Sequence, residues 1–173
     1  MYIVNAKAKD IYLENITILN LKYIFEWYNN EDFKYATGIE KNITFQQLMQ
    51  NFIEMQRSRE HFLLGIFISS TYEMIGFLKG QIKYGSKVTI WINTLIIDKA
   101  FQNKGYGTKA VNLLVNFAKK KSDVSRFFIA VSELNAKGYR FWKSLGFKDY
   151  TSVENCMKFE GENSNTIIMY KLV

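Results

Sequence analysis

The sequence predicts an α/β fold: a mixed, mostly antiparallel sheet of six to seven strands containing one parallel pair, flanked by about four helices. Three observations lead there. Between His61 and Asp98 the strand-like runs HFLLGIFI, MIGFLKGQIKY and VTIWINTLIID are separated only by SSTYE and GSK, turns that suit antiparallel neighbours. From residue 88 to 131 a strand, an apolar-faced helix and the strand RFFIAV follow one another, which implies a parallel pair joined by a right-handed crossover. Finally, 48% hydrophobic and 16% aromatic residues in a chain of 173 can fill a sizeable core, so residues 1–173 are expected to form a single domain.

In chain order, IYLENITI (11–18) reads as the first strand. Asn20 is a candidate N-cap for a helix whose Leu21, Ile24, Phe25 and Tyr28 share one face. The stretch WYNNEDFKYATGIEKN mixes polar and aromatic residues, as a loop covering a ligand would. Thr44 and Gln47 have capping-box spacing, and Phe45, Leu48, Met49, Phe52 and Ile53 form the apolar stripe of a second helix. After the three-strand meander comes a helix facing inward with Ala110, Val111, Leu114, Val115, Phe117 and Ala118. It ends at Lys119, Lys120 and Lys121, where cations complement the helix dipole. A helix from about Asn135 to Leu145, stopped by Gly146, precedes strands near 147–153 and 165–172.

The formal charge of +7 favours an anionic partner in general terms. A nucleic-acid surface would rest on that number alone, because the lysines are scattered apart from the 119–121 triplet, and it is not expected. No segment approaches the roughly 18 apolar residues of a membrane span, and MYIVNAKAKDIYLENI lacks a signal-peptide core, so the expected location is cytoplasmic, with no membrane partner. The single cysteine, Cys156, excludes an internal disulfide, and the single histidine, His61, excludes a multi-histidine site, so no metal is expected.

FQNKGYGTKAV (101–111) is where a ligand is expected. Glycine ahead of a helix start lets an anion approach backbone N–H groups that lack intrahelical partners. G-Y-G-T-K-A satisfies the dinucleotide fingerprint literally, but the preceding strand ends at Asp98 and Gly105 follows only after KAFQNK, whereas that fingerprint begins directly at the strand end. Too little chain remains after Glu133 for further βα units. No Gly-Lys-Ser or Gly-Lys-Thr occurs, which removes the P-loop. Another phosphate-bearing ligand, or a mere tight turn, stays open on the loop alone.

The wider segment TLIIDKAFQNKGYG resembles motif A of the GNAT N-acetyltransferase superfamily, a hydrophobic strand, a polar turn and Q/R-x-x-G-x-G/A, through Gln102, Gly105 and Gly107. NAKGYRFWKSLGF (135–147) is similar to that family's N-x-x-A-x-x-[LF]-Y-x-x-x-G-F segment through Asn135, Phe141, Gly146 and Phe147. The resemblance implies a GNAT-like fold in which the parallel strands 88–97 and 126–132 splay apart at one end. It implies acetyl-CoA as cosubstrate. The amides of Gln102, Asn103, Lys104, Gly105, Tyr106, Gly107 and Thr108 would surround the pyrophosphate, and the backbone at Leu95, Ile96 and Ile97 would meet the pantetheine. Asn135, Gly138 and Trp142 would complete the cofactor wall, Asn135 serving equally as the N-cap of its helix.

The implied reaction is direct attack of a primary amine on the thioester, with the backbone N–H of Ile97 as oxyanion donor. The family pattern sets a tyrosine acid where this chain has Trp142, and an indole N–H donates a hydrogen bond without giving up its proton. Tyr139, four residues after Asn135, is a second candidate acid. Glu26, Asp32 and Glu133 are the carboxylates on elements expected near the slot. FEWYNNEDFKYATG is similar to acceptor-side segments of ribosomal-protein N-terminal and aminoglycoside acetyltransferases, which makes Trp27 and Tyr28 candidate substrate contacts. The acceptor implied is a protein N-terminus, an aminoglycoside or another small amine, and a homodimer is allowed. The departure at Trp142 keeps a second reading alive, a non-enzymatic acyl-CoA-binding module or sensor.

Overall fold

The computed structural model describes residues 1–38, 41–121, 123–159 and 162–173; the side chain of Cys156 lies outside the described residues. The strands are β1 (Asn5–Lys7), β2 (Ile11–Asn15), β3 (His61–Ile68), β4 (Met74–Lys83), β5 (Val88–Ile97), β6 (Val124–Ser132), β7 (Lys148–Phe159) and β8 (Glu162–Leu172). They form one sheet in the order β1-β2-β3-β4-β5-β6-β8-β7, antiparallel throughout except for β5 and β6. The helices are α1 (Leu21–Tyr28), the single turn α2 (Lys34–Thr37), α3 (Phe45–Arg57), α4 (Tyr106–Lys121) and α5 (Ala136–Ser144). The mixed, mostly antiparallel architecture thus stands, with eight strands in place of six to seven. The additional strand is β1, whose three residues are too short to carry a readable period.

β3 explains how the sheet acquires two covered faces. Along HFLLGIFI successive side chains point to opposite sides, so Phe62, Leu64 and Ile66 join one core with α4, while Leu63 and Phe67 join a second with α1 and α3. α3 starts as its capping box dictates: Thr44 Oγ1 accepts from the Gln47 amide at 3.2 Å, and Gln47 Oε1 accepts from the Thr44 amide at 2.7 Å. Its stripe is only partly inward, with Leu48, Phe52 and Met55 buried and Phe45 and Ile53 exposed, because the helix touches the sheet along one narrow line. Asn20 does not cap α1. Its Oδ1 accepts instead from the Thr17 amide at 2.8 Å, closing the 3-10 turn Ile18–Asn20 where the first strand was expected to run on.

Two backbone features shape the sheet around the site. β5 and β6 pair only from Val88 with Val124 to Ile92 with Ile129, after which β5 continues to Ile97 and β6 to Ser132 without each other. At that same point Lys79 pairs with Thr94 and Gly80 with Ile92, leaving Asn93 as an extra residue on β5. A bulge bends its strand and increases local twist. Here it turns the end of β5 away from β6 and opens a slot between them. Among the described residues no helix is long and apolar enough to cross a membrane.

Candidate functional site

The slot is the mouth of a cavity of about 620 Å³, within the range of small-molecule sites. Its walls are the end of β5, residues 129–131 of β6, the loop 101–108, the start of α5, and the segment from Asp32 to Ala36. The parts lie far apart in sequence. The splayed strand ends bring them together.

The hydrogen-bond pattern decides which backbone groups of β5 face the cavity. The Asp98 amide donates to Ile75 O at 2.8 Å, and Phe77 pairs with Ile96, so residues 96 and 98 turn their polar groups toward β4. By alternation Leu95 and Ile97 turn theirs the other way, into the space β6 has left. The backbone expected to face a ligand at Leu95, Ile96 and Ile97 is therefore divided. Ile96 lines the cavity, but its backbone belongs to the sheet and its side chain, 1% exposed, to the second core. The Ile97 carbonyl is already engaged, accepting from Gln102 Nε2 at 2.9 Å. This leaves the Ile97 amide and the Leu95 backbone pointing into the slot.

The glycine loop is built for close approach. Asn103 and Gly105 both adopt left-handed backbone, with φ of 60° and 78°, and Gly105 O accepts the Lys109 amide at 3.0 Å as α4 begins. A Cβ on Gly105 would meet no atom within 4 Å, so the glycine serves the backbone conformation and leaves open space above it. The amides of the first turn of α4 look into that space with the positive end of the helix dipole behind them. Gln102, Asn103, Gly105, Tyr106, Gly107 and Thr108 all line the cavity. Lys104 does not: its Nζ donates to Ala100 O at 2.8 Å on the outer side of the loop.

At the start of α5 the Gly138 amide donates to Asn135 Oδ1 at 2.8 Å, so Asn135 is the N-cap. Asn135, Gly138 and Trp142 line the cavity. Trp142 is 8% exposed, and its ring stands edge-on to Phe141 and Phe147 at 5.0 and 5.1 Å. Although Tyr139 lies between Asn135 and Trp142 on α5, it is not among the cavity's lining residues, and its hydroxyl donates to Asp149 at 2.9 Å. Trp27 and Tyr28 also stand away from the cavity, packed on Phe77 from the inward face of α1. Trp27 Nε1 donates to Asp98 Oδ2 at 2.9 Å.

The charged side chains among the described lining residues are Asp32 and Lys137. The Asp32 carboxylate pairs with the Lys99 ammonium, linking the α2 side of the mouth to the turn that leads into the glycine loop. Lys137 Nζ donates to Gln102 Oε1 at 2.9 Å, so Gln102 bridges β5 to α5 across the cavity. Of the other carboxylates considered, Glu26 is exposed on α1 and Glu133 accepts from the Asn165 amide at 2.9 Å. Sequence reasoning missed Lys137, Phe33 and Tyr35. The loop holding the last two was marked by its mixture of aromatic and polar residues, but nothing in the order of residues pairs Gln102 with Lys137.

Solved structures that the chain resembles include several described as acetyltransferases. A spermidine N-acetyltransferase from Vibrio cholerae, in complex with CoA and spermine, superposes with a TM-score of 0.86 at 16% identity, over 95% of this chain and 96% of that one. A ribosomal-protein-S5-alanine acetyltransferase from Vibrio fischeri gives 0.78 at 18% identity, over 98% and 96%. An acetyltransferase from Salmonella typhimurium that modifies the N-terminal serine of ribosomal protein L7/L12 gives 0.80 at 15% identity, over 96% of each chain. At these identities the likeness is one of fold. No curated protein sequence matches the chain. The sequence does match the family model described as an acetyltransferase (GNAT) domain over residues 13–168, and the chain belongs to that family.

Proposed function

We propose that the chain is an acetyl-CoA-dependent N-acetyltransferase that acts in the cytoplasm on a primary amine, with residues 1–173 working as one unit. The observation that carries this reading is the meeting, in one cavity, of the left-handed Gly105 at the start of α4 with the stretch of β5 that has lost β6 as partner. The first suits a pyrophosphate and the second an amide-bearing arm, the two ends of one ligand. The open space above Gly105 fits that group. The CoA held by the Vibrio cholerae relative agrees with it.

The loop amides from Gln102 to Thr108 would hold the phosphates, with Lys137 adding positive charge beside them. Leu95 would bond the pantetheine arm through its outward backbone groups, the Ile97 amide staying free for the thioester, and Asn135, Gly138 and Trp142 would form the facing wall. When bound, acetyl-CoA supplies an activated thioester carbonyl. The Ile97 amide then stabilises negative charge on the carbonyl oxygen. Asp32, in competition with its partner Lys99, draws the acceptor's ammonium to the mouth; one proton passes to water, the freed amine attacks to form the C–N bond, and as the C–S bond breaks the nitrogen gives its second proton to water, leaving a neutral amide. Trp142 cannot return a proton to the departing thiolate, so solvent does, which a thiol with a reference pKa of about 8.5 permits.

Calorimetry with CoA together with a thiol-release screen against peptides, polyamines, aminoglycosides and amino acids tests the reading. Wild-type protein is expected to bind CoA and release thiol with one class, and Gly105→Trp to lose both by filling the space above the loop. No CoA binding, or unchanged turnover in Gly105→Trp, would sink it. CoA binding with no release against every amine would favour the sensor reading that Trp142 raises.

A further inference from the structure

Beside the cavity mouth one face of the sheet carries no helix among the described residues. The helices α1 and α3 lie over β2, β3 and β4, and the Asp32–Ala36 segment reaches only the ends of β5 and β6. Beyond it, the side chains of four neighbouring strands form cross-strand rows. Trp91 pairs with Phe128 and Phe128 with Tyr170, and Tyr170 lies opposite Lys148, with Tyr150 folding back over both Phe128 and Tyr170. The rings of Trp91 and Phe128 stack at 4.9 Å, and Tyr150 meets Phe128 edge-on at 5.8 Å. None of the four aromatic residues belongs to either buried core, and Tyr150 is 62% exposed.

The next row away from the mouth is Lys83, Thr89, Arg126 and Leu172. Among the described residues no carboxylate occurs in either row; Arg126 and Lys148 border the aromatic cluster, while Lys83 faces Glu60 at 4.0 Å. The rows also run straight into the site. Ala130, which lines the cavity mouth, lies two residues from Phe128 and four from Arg126 on the same strand. At roughly 3.3 Å per residue the aromatic row, with Lys148 at its end, begins about 7 Å from the mouth and the row of Arg126 about 13 Å from it.

We propose that this face docks the acceptor, and that the acceptor is the N-terminal segment of an acidic polypeptide. The inference rests on the transferase reading above. The α-amine enters the mouth beside Asp32, an apolar or aromatic side chain at about the second or third position covers Trp91, Phe128 and Tyr150 with Lys148 flanking it, and carboxylates from about the fourth position onward face Arg126. An extended chain advances by the same increment per residue as the strand beneath it, so the chemistry of each row maps onto a position of the peptide. Polyamines are disfavoured on this face, since charges beyond the one held at the mouth would approach Arg126 and Lys148.

The test uses hexapeptides with a free N-terminus and a C-terminal fluorophore. Anisotropy measures their binding without acetyl-CoA, and thiol release is measured with the same peptides and with spermine. A peptide with an apolar second residue and acidic residues from the fourth is expected to bind about tenfold more tightly than its lysine counterpart. Lys148→Glu should weaken it about fivefold and strengthen the lysine peptide, and Tyr150→Ala should weaken both. Both positions are exposed, so these variants keep the fold. Equal binding of the two peptides, or affinities unmoved by both substitutions, overturns the proposal. Charge-dependent peptide binding without thiol release supports the docking face and defeats the transferase reading, whereas thiol release with spermine and no peptide binding does the reverse.

Discussion

Replacing Gly138 by alanine separates the two roles assigned to the start of α5. A Cβ there would lie 2.6 Å from Asn135 Nδ2 and 2.9 Å from its Oδ1, closer than real Cβ contacts come. The short Asn135 side chain must swing away, taking with it the 2.8 Å cap bond to the Gly138 amide. Losing an N-cap costs about 1 kcal/mol. Alanine in place of glycine inside a helix recovers about 1 kcal/mol. The two offset, so Gly138→Ala should unfold in urea within about 1 kcal/mol of wild type. CoA affinity should nonetheless fall about fivefold, the effect of one lost neutral hydrogen bond, because Asn135 no longer reaches the cavity. A double-mutant cycle sharpens this: with Asn135→Ala already present, Gly138→Ala has nothing to displace and should stabilise by about 1 kcal/mol. If Gly138→Ala alone gains that full amount and calorimetry finds unchanged CoA binding, the steric argument is wrong.

Trp142→Phe should leave kcat within about twofold while raising the KM for acetyl-CoA, because the ring packs and does not release a proton; a hundredfold fall in kcat would mean the indole N–H acts in the chemistry. Asp98→Ala should destabilise by about 2–3 kcal/mol in chemical denaturation. It removes the acceptor of the Ala100 amide at 2.9 Å and strands the N–H of Trp27, which is 6% exposed. The Lys109 ammonium, by its hydrogen bond, holds the Asp10 carboxyl below its ordinary value of 3.8. A depressed folded-state value means that this pair supports the fold fully above about pH 4 and ceases to as pH falls through the folded value. Lys109→Met should return Asp10 to the ordinary range, read by carboxyl NMR titration.

Much of the site was legible because its parts are local. The glycines at 105 and 107, the helix start behind them and Asn135 with its downstream Trp142 are each set by residues within a few positions of one another. The capping box of α3 could be read for the same reason. The reading lost ground wherever orientation mattered. Trp27 and Tyr28 looked like acceptor contacts, yet helical rotation from Leu21 and Ile24 points them inward onto Phe77, and the next turn, Asp32 to Ala36, takes the place at the mouth. Tyr139 shares the helix face of Trp142, yet its hydroxyl is held by Asp149, a partner that only the return of the chain from α5 into β7 supplies.

By itself the sequence determined which segments form most of the strands and helices, which faces are apolar, and where a glycine loop precedes the unpartnered amides of a helix start, since all of these follow from short-range periodicity and backbone freedom. Only the tertiary structure decided the cavity. It depends on Asn93 bulging where β5 parts from β6, on Gln102 joining Ile97 to Lys137, and on which alternate amides of β5 are left without a strand. The same packing left Trp91, Phe128 and Tyr170 half-buried and Tyr150 exposed, beside Arg126 and Lys148. Those relations join residues tens of positions apart, and their sign turns on a one-residue shift in register, which no local pattern in the chain encodes.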